Sequence, residues 1–259
     1  MNDKLKSLLV SYGRVAVGFS GGVDSTFLLW SALEALGSDN VLAIIADTPT
    51  LPRFEFASAL QCAEQLGAYT LVVKPNELED PAYVANPPDR CYLCKRRIFG
   101  MIKDAANEQG FDIVLDGANI DDAADHRPGQ RAAHELGVKS PLAEAGLTKA
   151  EIRAASAEAG LPTAQRPSNA CLATRIPSGT PITRELLGCI ERAEKGLHEL
   201  GFAQCRVRHH GDVARIEVPA CDIEEAVRKR LAITEALKAA GYRFVALDLE
   251  GYKMGNMNV

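Results

Sequence analysis

Ser20-Gly21-Gly22-Val23-Asp24-Ser25 follows a short apolar run and opens a helical pattern, which is where a chain can hold phosphate. Glycine has no Cβ to keep an anion away, so backbone N–H groups can approach phosphate oxygens, and the positive end of the following helix adds to the attraction. Ser20 and Ser25 add hydroxyl donors. Asp24 would be out of place in a purely anionic site, but it makes sense if a divalent ion such as Mg2+ bridges it to the phosphates of ATP. The hexapeptide lacks the lysine of the Walker loop, which argues against γ-phosphate transfer. A plain glycine-rich turn is the ordinary alternative for two glycines alone, and the full hexapeptide in this context outweighs it.

Sulfur is the second resource. The chain has seven cysteines, an odd number, and no secretory signal, so thiols, metal ligands or nucleophiles are expected rather than a disulfide framework. Cys91-Tyr92-Leu93-Cys94 opens a predicted helix, where the helix N-terminus, Arg90 and Lys95 would favour thiolate. The pair fits a redox couple, half of a zinc site or part of an iron–sulfur site; no second CxxC or HxxxH is present to complete a zinc site. Cys171 lies in Pro167-Ser168-Asn169-Ala170-Cys171-Leu172-Ala173-Thr174-Arg175-Ile176-Pro177, where Arg175 could steady a thiolate or a phosphate. Cys62, Cys189, Cys205 and Cys221 are read as small buried hydrophobes.

These residues need a frame. Strands are expected at 14–19, 41–46, 69–73 and 112–115, with helices at 25–36, 52–66 and 91–108 between them and another at 148–159. The strand–helix repetition implies an α/β fold with a doubly wound parallel sheet. Ligands of such sheets sit beyond the carboxyl ends of the strands, where the loops at 20–25, 47–52, 75–90 and 116–131 would converge. Ala46-Asp47-Thr48 and Asp116-Gly117-Ala118-Asn119 end two of the strands and fit an adenosine site, so Asp47 and Gly117 join the candidate nucleotide residues. Asp121, Asp122 and Asp125 could reach a metal but have the composition of a solvated acidic loop.

The proline-bearing stretch 161–181 reads as a loop or linker. Beyond it a helix at 184–200, strands at 205–209 and 215–218, a helix at 223–239 and a strand at 244–249 form a smaller α+β unit. The expected division is a nucleotide-binding domain over 1–180 and a C-terminal domain over 181–259. Of the 259 residues 47% are hydrophobic and 24% charged, the balance of a soluble globular protein. A formal net charge of −5 argues against a surface built for nucleic acid. No apolar run approaches the roughly 20 residues needed to cross a bilayer, and a cytoplasmic protein is expected.

The hexapeptide resembles that of the PP-loop ATP pyrophosphatases, which implies cleavage between the α and β phosphates to give a substrate adenylate and pyrophosphate. Four further stretches narrow the resemblance: Asp89-Arg90-Cys91-Tyr92-Leu93-Cys94-Lys95; Asp125-His126-Arg127-Pro128-Gly129 with Lys139-Ser140-Pro141-Leu142; 170–183 (ACLATRIPSGTPIT); and 206–218 (RVRHHGDVARIEV). Together they are similar to the ATP-dependent sulfur transferases of the LarE family, from the first strand to the tail. That resemblance implies adenylation of a pyridinium dicarboxylate mononucleotide and displacement of AMP by sulfur, giving thiocarboxylates for the nickel-pincer cofactor of lactate racemase. Some members give up the sulfur of one cysteine, matched here by Cys171. Others use three cysteines to hold a [4Fe–4S] cluster that delivers sulfide, and Cys91, Cys94 and Cys171 match that pattern, which is the form expected here. Thr174, Arg175, Glu194, Arg206 and Arg208 resemble positions that bind phosphate or metal, and the family also implies an oligomer.

Three rivals compete with this reading. A tRNA thiolase also combines such a loop with cluster cysteines, but would want a basic face. An amide-forming synthetase such as NAD synthetase would use ammonia and leave the cysteines without work. A sensor of the same fold would not turn ATP over.

Overall fold

Val15, Val17, Val41, Ala43 and Ile45 are buried in one apolar cluster, while their neighbours Ala16, Leu42 and Ile44 are buried in another. Alternation of this kind with both sets buried is what a central strand covered on both faces requires. The computed structural model describes residues 2–123, 128–167 and 170–253. Asp125, His126, Arg127, Ser168 and Asn169 of the sequence motifs lie outside the described residues.

In chain order the elements are α1 (Asp3–Tyr12), β1 (Val15–Gly18), α2 (Val23–Leu36), β2 (Val41–Ala46), α3 (Arg53–Gln65), β3 (Tyr69–Val73), α4 (Pro81–Val84), α5 (Arg90–Glu108), β4 (Ile113–Leu115), α6 (Ile120–Ala123), α7 (Pro128–Glu135), α8 (Pro141–Glu144), α9 (Lys149–Glu158), α10 (Arg184–Glu199), β5 (Arg206–His210), β6 (Val213–Glu217), α11 (Ile223–Arg228), α12 (Arg230–Ala240) and β7 (Phe244–Leu247). They fall into two compact units, Met1–Glu77 with Asp89–Asn169, and Leu78–Pro88 with Ala170–Val259. No helix of the described residues is long and apolar enough to cross a membrane.

The first unit is the parallel, doubly wound sheet expected from the strand–helix repetition, in the order β3-β2-β1-β4. Val15 pairs in register with both Val41 and Ile113. Residues of α1, α2, α3, α8 and α9 bury apolar side chains on one face, and those of α5 and α7 on the other. The chain steps outward from β1 through β2 to β3 and then returns to β4 on the far side of β1. The carboxyl ends of β1 and β4 therefore flank the point where the winding reverses, the place where such sheets bind ligands.

Helix α1 is absent from the sequence expectation. It forms because Asn2 caps it, accepting from the Lys4 and Leu5 amides, and because Leu5 and Leu9, four apart, are fully buried against the sheet unit.

In the second unit the sheet order is β5-β6-β7, with β5 and β6 antiparallel and β6 and β7 parallel. Its core joins Ala193 and Leu197 of α10 to Val207, Ala214 and Ile216 of the sheet and to Ile233 and Leu237 of α12. The single helix expected over 223–239 is two helices, broken at Lys229, whose ammonium donates to the Leu200 carbonyl at 2.7 Å. Residues 78–88 belong to this unit through Asn86, which is fully buried at φ 55°, a left-handed conformation asparagine tolerates. Its side-chain amide donates to the Pro177 and Thr180 carbonyls at 2.8 and 3.0 Å, and its own carbonyl accepts from the Gly179 amide.

Candidate active site

The phosphate loop leaves β1 at Gly18 and enters α2 at Val23, with Gly22 as an extended N-cap that offers no side chain to the helix. An uncapped helix start leaves its first amides available to an anion. Gly21 sits at φ +68°, and a Cβ there would lie 2.8 Å from Cα of Ala59 on α3. Only glycine fits, and the close approach of α3 sets the loop's path. Ser20 Oγ and Ser25 Oγ lie 3.0 Å apart, and Ser25 also donates to the Gly22 carbonyl, so the two hydroxyls brace the turn.

Gly117, at the end of β4, closes the same place from the other side. A Cβ on it would stand 2.9 Å from the Ser25 amide, so a bare backbone is required for the two strand ends to meet. Asp116 accepts from Ser140 at 2.6 Å and from the Ala118 amide, which fixes that loop. Asp121 accepts from the Lys149 amide, and Asp122 from the Asn119 amide, so these two acids build the turn.

Asp24 points its Oδ2 at the ammonium of Lys149, while its Oδ1 is buried and has no hydrogen-bond partner among the described residues. A buried carboxylate oxygen without a donor is costly, and a divalent cation would satisfy it. The donor chemistry at Asp24 therefore fits Mg2+. Lys149 went unremarked in the sequence because it lies 125 positions away and carries no local motif.

Arg166 is a second long-range partner. Its guanidinium donates to the Gly21 carbonyl at 3.0 Å and to Ser58 at 2.8 Å, and it pairs with the buried Glu55 of α3. The start of the stretch read as a linker is thus tied to the loop, and Arg153 holds its backbone through the Ala164 and Arg166 carbonyls.

Asp47 is paired with Arg53 at 2.5 Å, and that guanidinium also donates to the Thr48 and Leu51 carbonyls. The pair closes the loop after β2. From Thr48 a hydroxyl chain runs through Thr50 to Glu77, whose Oε1 also accepts from the Cys94 thiol at 3.4 Å. Glu77 is nearly inaccessible, and burial pushes its carboxyl above the ordinary value against the pull of these hydrogen bonds. No sequence signal identifies Glu77.

Cys91 is exposed and Cys94 half-buried on the first turn of α5, where Asp89 gives no side-chain cap. Between them Tyr92 donates to Glu135 at 2.6 Å and carries Arg131 over its ring at 4.2 Å. Gly129 leaves room for Lys95 and the Cys91 carbonyl, so α7 lies directly on the CxxC turn. Lys95 places its ammonium over the Phe99 ring, at 5.1 Å.

In the second unit Cys171 is the N-cap of a short 3-10 turn over Leu172–Arg175. Its carbonyl accepts from the Thr174 amide and hydroxyl and from Arg175 Nη1 at 2.9 Å, while the thiol is half-buried. Arg175 is 2% exposed and forks onto both oxygens of Glu194, at 2.8 and 2.9 Å, with Nη1 also on the Ala170 carbonyl. Burial works against this charge, and Glu194 more than restores it, so the guanidinium pKa lies above its ordinary value. Glu194 accepts in addition from the Val207 amide. In this arrangement Arg175 and Glu194 hold the main chain that presents Cys171.

Arg206 and Arg208 sit two apart on β5, and both are buried. Arg208 pairs with the fully buried Glu217 at 2.8 Å and donates to the Thr174 carbonyl. Arg206 stacks over Tyr252 and donates to the Cys205 carbonyl. The two buried carboxylates are thus paired, Glu194 with Arg175 and Glu217 with both Arg208 and Arg215. Burial, followed by the nearby Arg175 charge, lowers the pKa of Arg206 against the pull of Glu194.

Cys205 is fully buried, and burial followed by the Glu194 charge pushes its thiol up to about 12. A raised pKa keeps it a neutral thiol through ordinary buffer conditions, and the thiolate is the reactive form. In metal-free folded protein at about pH 8, iodoacetamide is expected to label exposed Cys91 and Cys221 and to spare Cys205 until denaturant returns it to an ordinary thiol pKa of about 8.5. Peptide mass mapping checks this.

Among the described residues no three His, Cys, Asp or Glu side chains are gathered as a metal site.

The family model for NAD synthase matches residues 2–81, the segment that carries the phosphate loop. The chain is 38% identical over 254 residues to the pyridinium-3,5-bisthiocarboxylic acid mononucleotide synthase of Lactiplantibacillus plantarum, covering 98% of this chain and 92% of that protein. It is 39% identical to an uncharacterized protein of Synechocystis sp., over 100% of this chain and 98% of that one. A more distant likeness, 32% over 161 residues, is to the argininosuccinate synthase of Haloarcula marismortui, covering 58% of this chain and 38% of that protein.

Proposed function

This chain belongs to the family of the pyridinium-3,5-bisthiocarboxylic acid mononucleotide synthase, the LarE family of ATP-dependent sulfur transferases, and from that premise we propose that it converts a pyridinium dicarboxylate mononucleotide into its thiocarboxylate. A substrate carboxylate oxygen attacks the α-phosphorus of ATP and pyrophosphate leaves. A sulfur nucleophile then attacks the acyl carbon of the adenylate, and AMP leaves with the original carboxylate oxygen. Two rounds give two thiocarboxylates, the acid used for a nickel-pincer cofactor.

The observation that carries the activation step is the uncapped start of α2 beside Gly117, with Asp24 in its first turn. The loop amides and the serine hydroxyls would bind the phosphates, and Asp24 would hold Mg2+ against them. In the second unit, Arg206 and Arg208 supply cationic donors for the substrate phosphate, while Arg175, Thr174 and Glu194 position Cys171. Asp47 lies at the end of β2 and supports the adenosine side through its loop.

The finer reading is that Cys91, Cys94 and Cys171 hold a [4Fe–4S] cluster. It is supported by the three-cysteine pattern and by thiols that are exposed or half-buried rather than sealed in a core. When bound, a cluster with three protein thiolates would offer an iron with an open position for sulfide. A sulfide donor and assembly into an oligomer belong to the same proposal and rest on the family resemblance.

Product analysis tests the activation step. With the dicarboxylate mononucleotide labelled with heavy oxygen in its carboxylates, ATP is expected to yield pyrophosphate and AMP that carries the label. ADP and inorganic phosphate, or unlabelled AMP, would overturn adenylation of the carboxylate.

A further inference from the structure

A backbone amide binds phosphate only when it points at it, and the residues Gly21 and Gly22 do little to fix that direction. The peptide between them can turn over without driving a Cβ into the backbone, since neither Gly21, at φ 68°, nor Gly22, at φ −79°, carries one. A planar trans peptide points its C=O and its N–H to opposite sides, so whatever holds the Gly21 carbonyl also aims the Gly22 amide. The structure supplies a hold in Arg166, whose Nη1 donates to that carbonyl at 3.0 Å. On the other side the Gly22 amide makes a long contact to Ser20 Oγ, at 3.4 Å, weak enough for a phosphate oxygen to replace it.

Arg166 is itself anchored. The same Nη1 reaches Ser58 Oγ at 2.8 Å, and Nη2 pairs with the buried Glu55, one helical turn earlier on α3. Arg153 fixes the main chain beside it through the Ala164 and Arg166 carbonyls, at 2.7 and 2.9 Å. A guanidinium suits this place because its donors lie in one rigid fork, so one side chain spans α3 and the loop together.

We propose that Arg166 is a positioning residue for the activation step: it holds the Gly21 carbonyl so that the Gly22 amide faces the β and γ phosphates of Mg·ATP and donates to them. Arg166 acts through the peptide and does not itself touch ATP. The inference rests on the reading that Ser20–Ser25 holds Mg·ATP. An amide aimed before the ligand arrives need not be reoriented at binding or as charge develops on the departing pyrophosphate.

The alternative is an arginine that only fastens residues 161–167 to α3. Amide hydrogen exchange, followed residue by residue by NMR, separates the two. In the native protein, saturating Mg·ATP is expected to slow exchange at Gly22 by at least about tenfold, and an unchanged rate there would overturn the proposal. In Arg166→Met, Mg·ATP is expected to bind at least about tenfold more weakly. At saturation Gly22 should then lose its slowing, while the Ser25 amide, on the helix, exchanges as in the native complex. Native affinity, native slowing at Gly22, or an equal loosening at Ser25 would each overturn the assignment.

The methionine variant leaves the buried Glu55 without this partner, which can unfold the protein. The double variant Arg166→Met with Glu55→Gln removes both charges, keeps no buried carboxylate at that place, and is expected to show the same selective loss at Gly22. Failure of the native chain to bind Mg·ATP at all would instead remove the functional reading, and this inference with it.

Discussion

Cys171→Ala is expected to abolish formation of the thiocarboxylate, by at least about a thousandfold, while ATP is still cleaved to pyrophosphate. The reason lies in how the residue is held. Arg175 and Thr174 grip the carbonyl of Cys171, so alanine keeps those hydrogen bonds while the sulfur is lost. The turn should stay folded, with Arg175 still forked on Glu194. Pyrophosphate release and sulfur incorporation, measured on the same sample, separate the two steps. A thiocarboxylate formed at the native rate by the alanine variant would remove Cys171 from the reaction.

Asp24→Asn should fail earlier, at activation. Asparagine keeps the shape but not the charge that would hold Mg2+ on the phosphates. A metal ion contributes several kcal/mol of stabilisation to such a displacement, and each 1.36 kcal/mol is tenfold in rate, so pyrophosphate release is expected to fall by about a hundredfold or more. Any iron bound by the cysteines should be retained, which distinguishes a catalytic loss from a collapse of the protein. Native-like pyrophosphate release in the asparagine variant would refute the role given to Asp24.

The sequence made some of this plain and hid the rest, for identifiable reasons. The alternation of short apolar runs with helical stretches is local, and it led directly to the parallel sheet and to the loop between β1 and α2. The order β3-β2-β1-β4 is set by pairing across the sheet, which no local pattern encodes. Gly21 and Gly117 were recognisable as glycines near a phosphate, but the reasons only glycine fits are contacts with Ala59 and Ser25.

Long-range partners were the least legible. Lys149, Arg166, Glu77 and Asn86 act on residues far along the chain and look like ordinary surface or loop residues in sequence. Arg175 and Glu194 were picked out as ligand contacts, and burial shows them also joined to each other. The proline-bearing stretch after Leu161 read as a linker because its order comes from Arg153 and Arg166 rather than from a repeating backbone pattern. The break at Lys229 has no glycine or proline to announce it and arises where that lysine caps onto the Leu200 carbonyl.

The central claim is that ATP energy is used to exchange a carboxylate oxygen for sulfur. The measurement that meets it most directly is the mass of the product formed when anaerobically purified protein is given ATP, Mg2+, sulfide and pyridinium-3,5-dicarboxylate mononucleotide. The account predicts a thiocarboxylate, with oxygen replaced by sulfur and with AMP and pyrophosphate formed in equal amounts. An amide formed when ammonia is supplied in place of sulfide, or a mononucleotide recovered unchanged after ATP has been consumed, would contradict it.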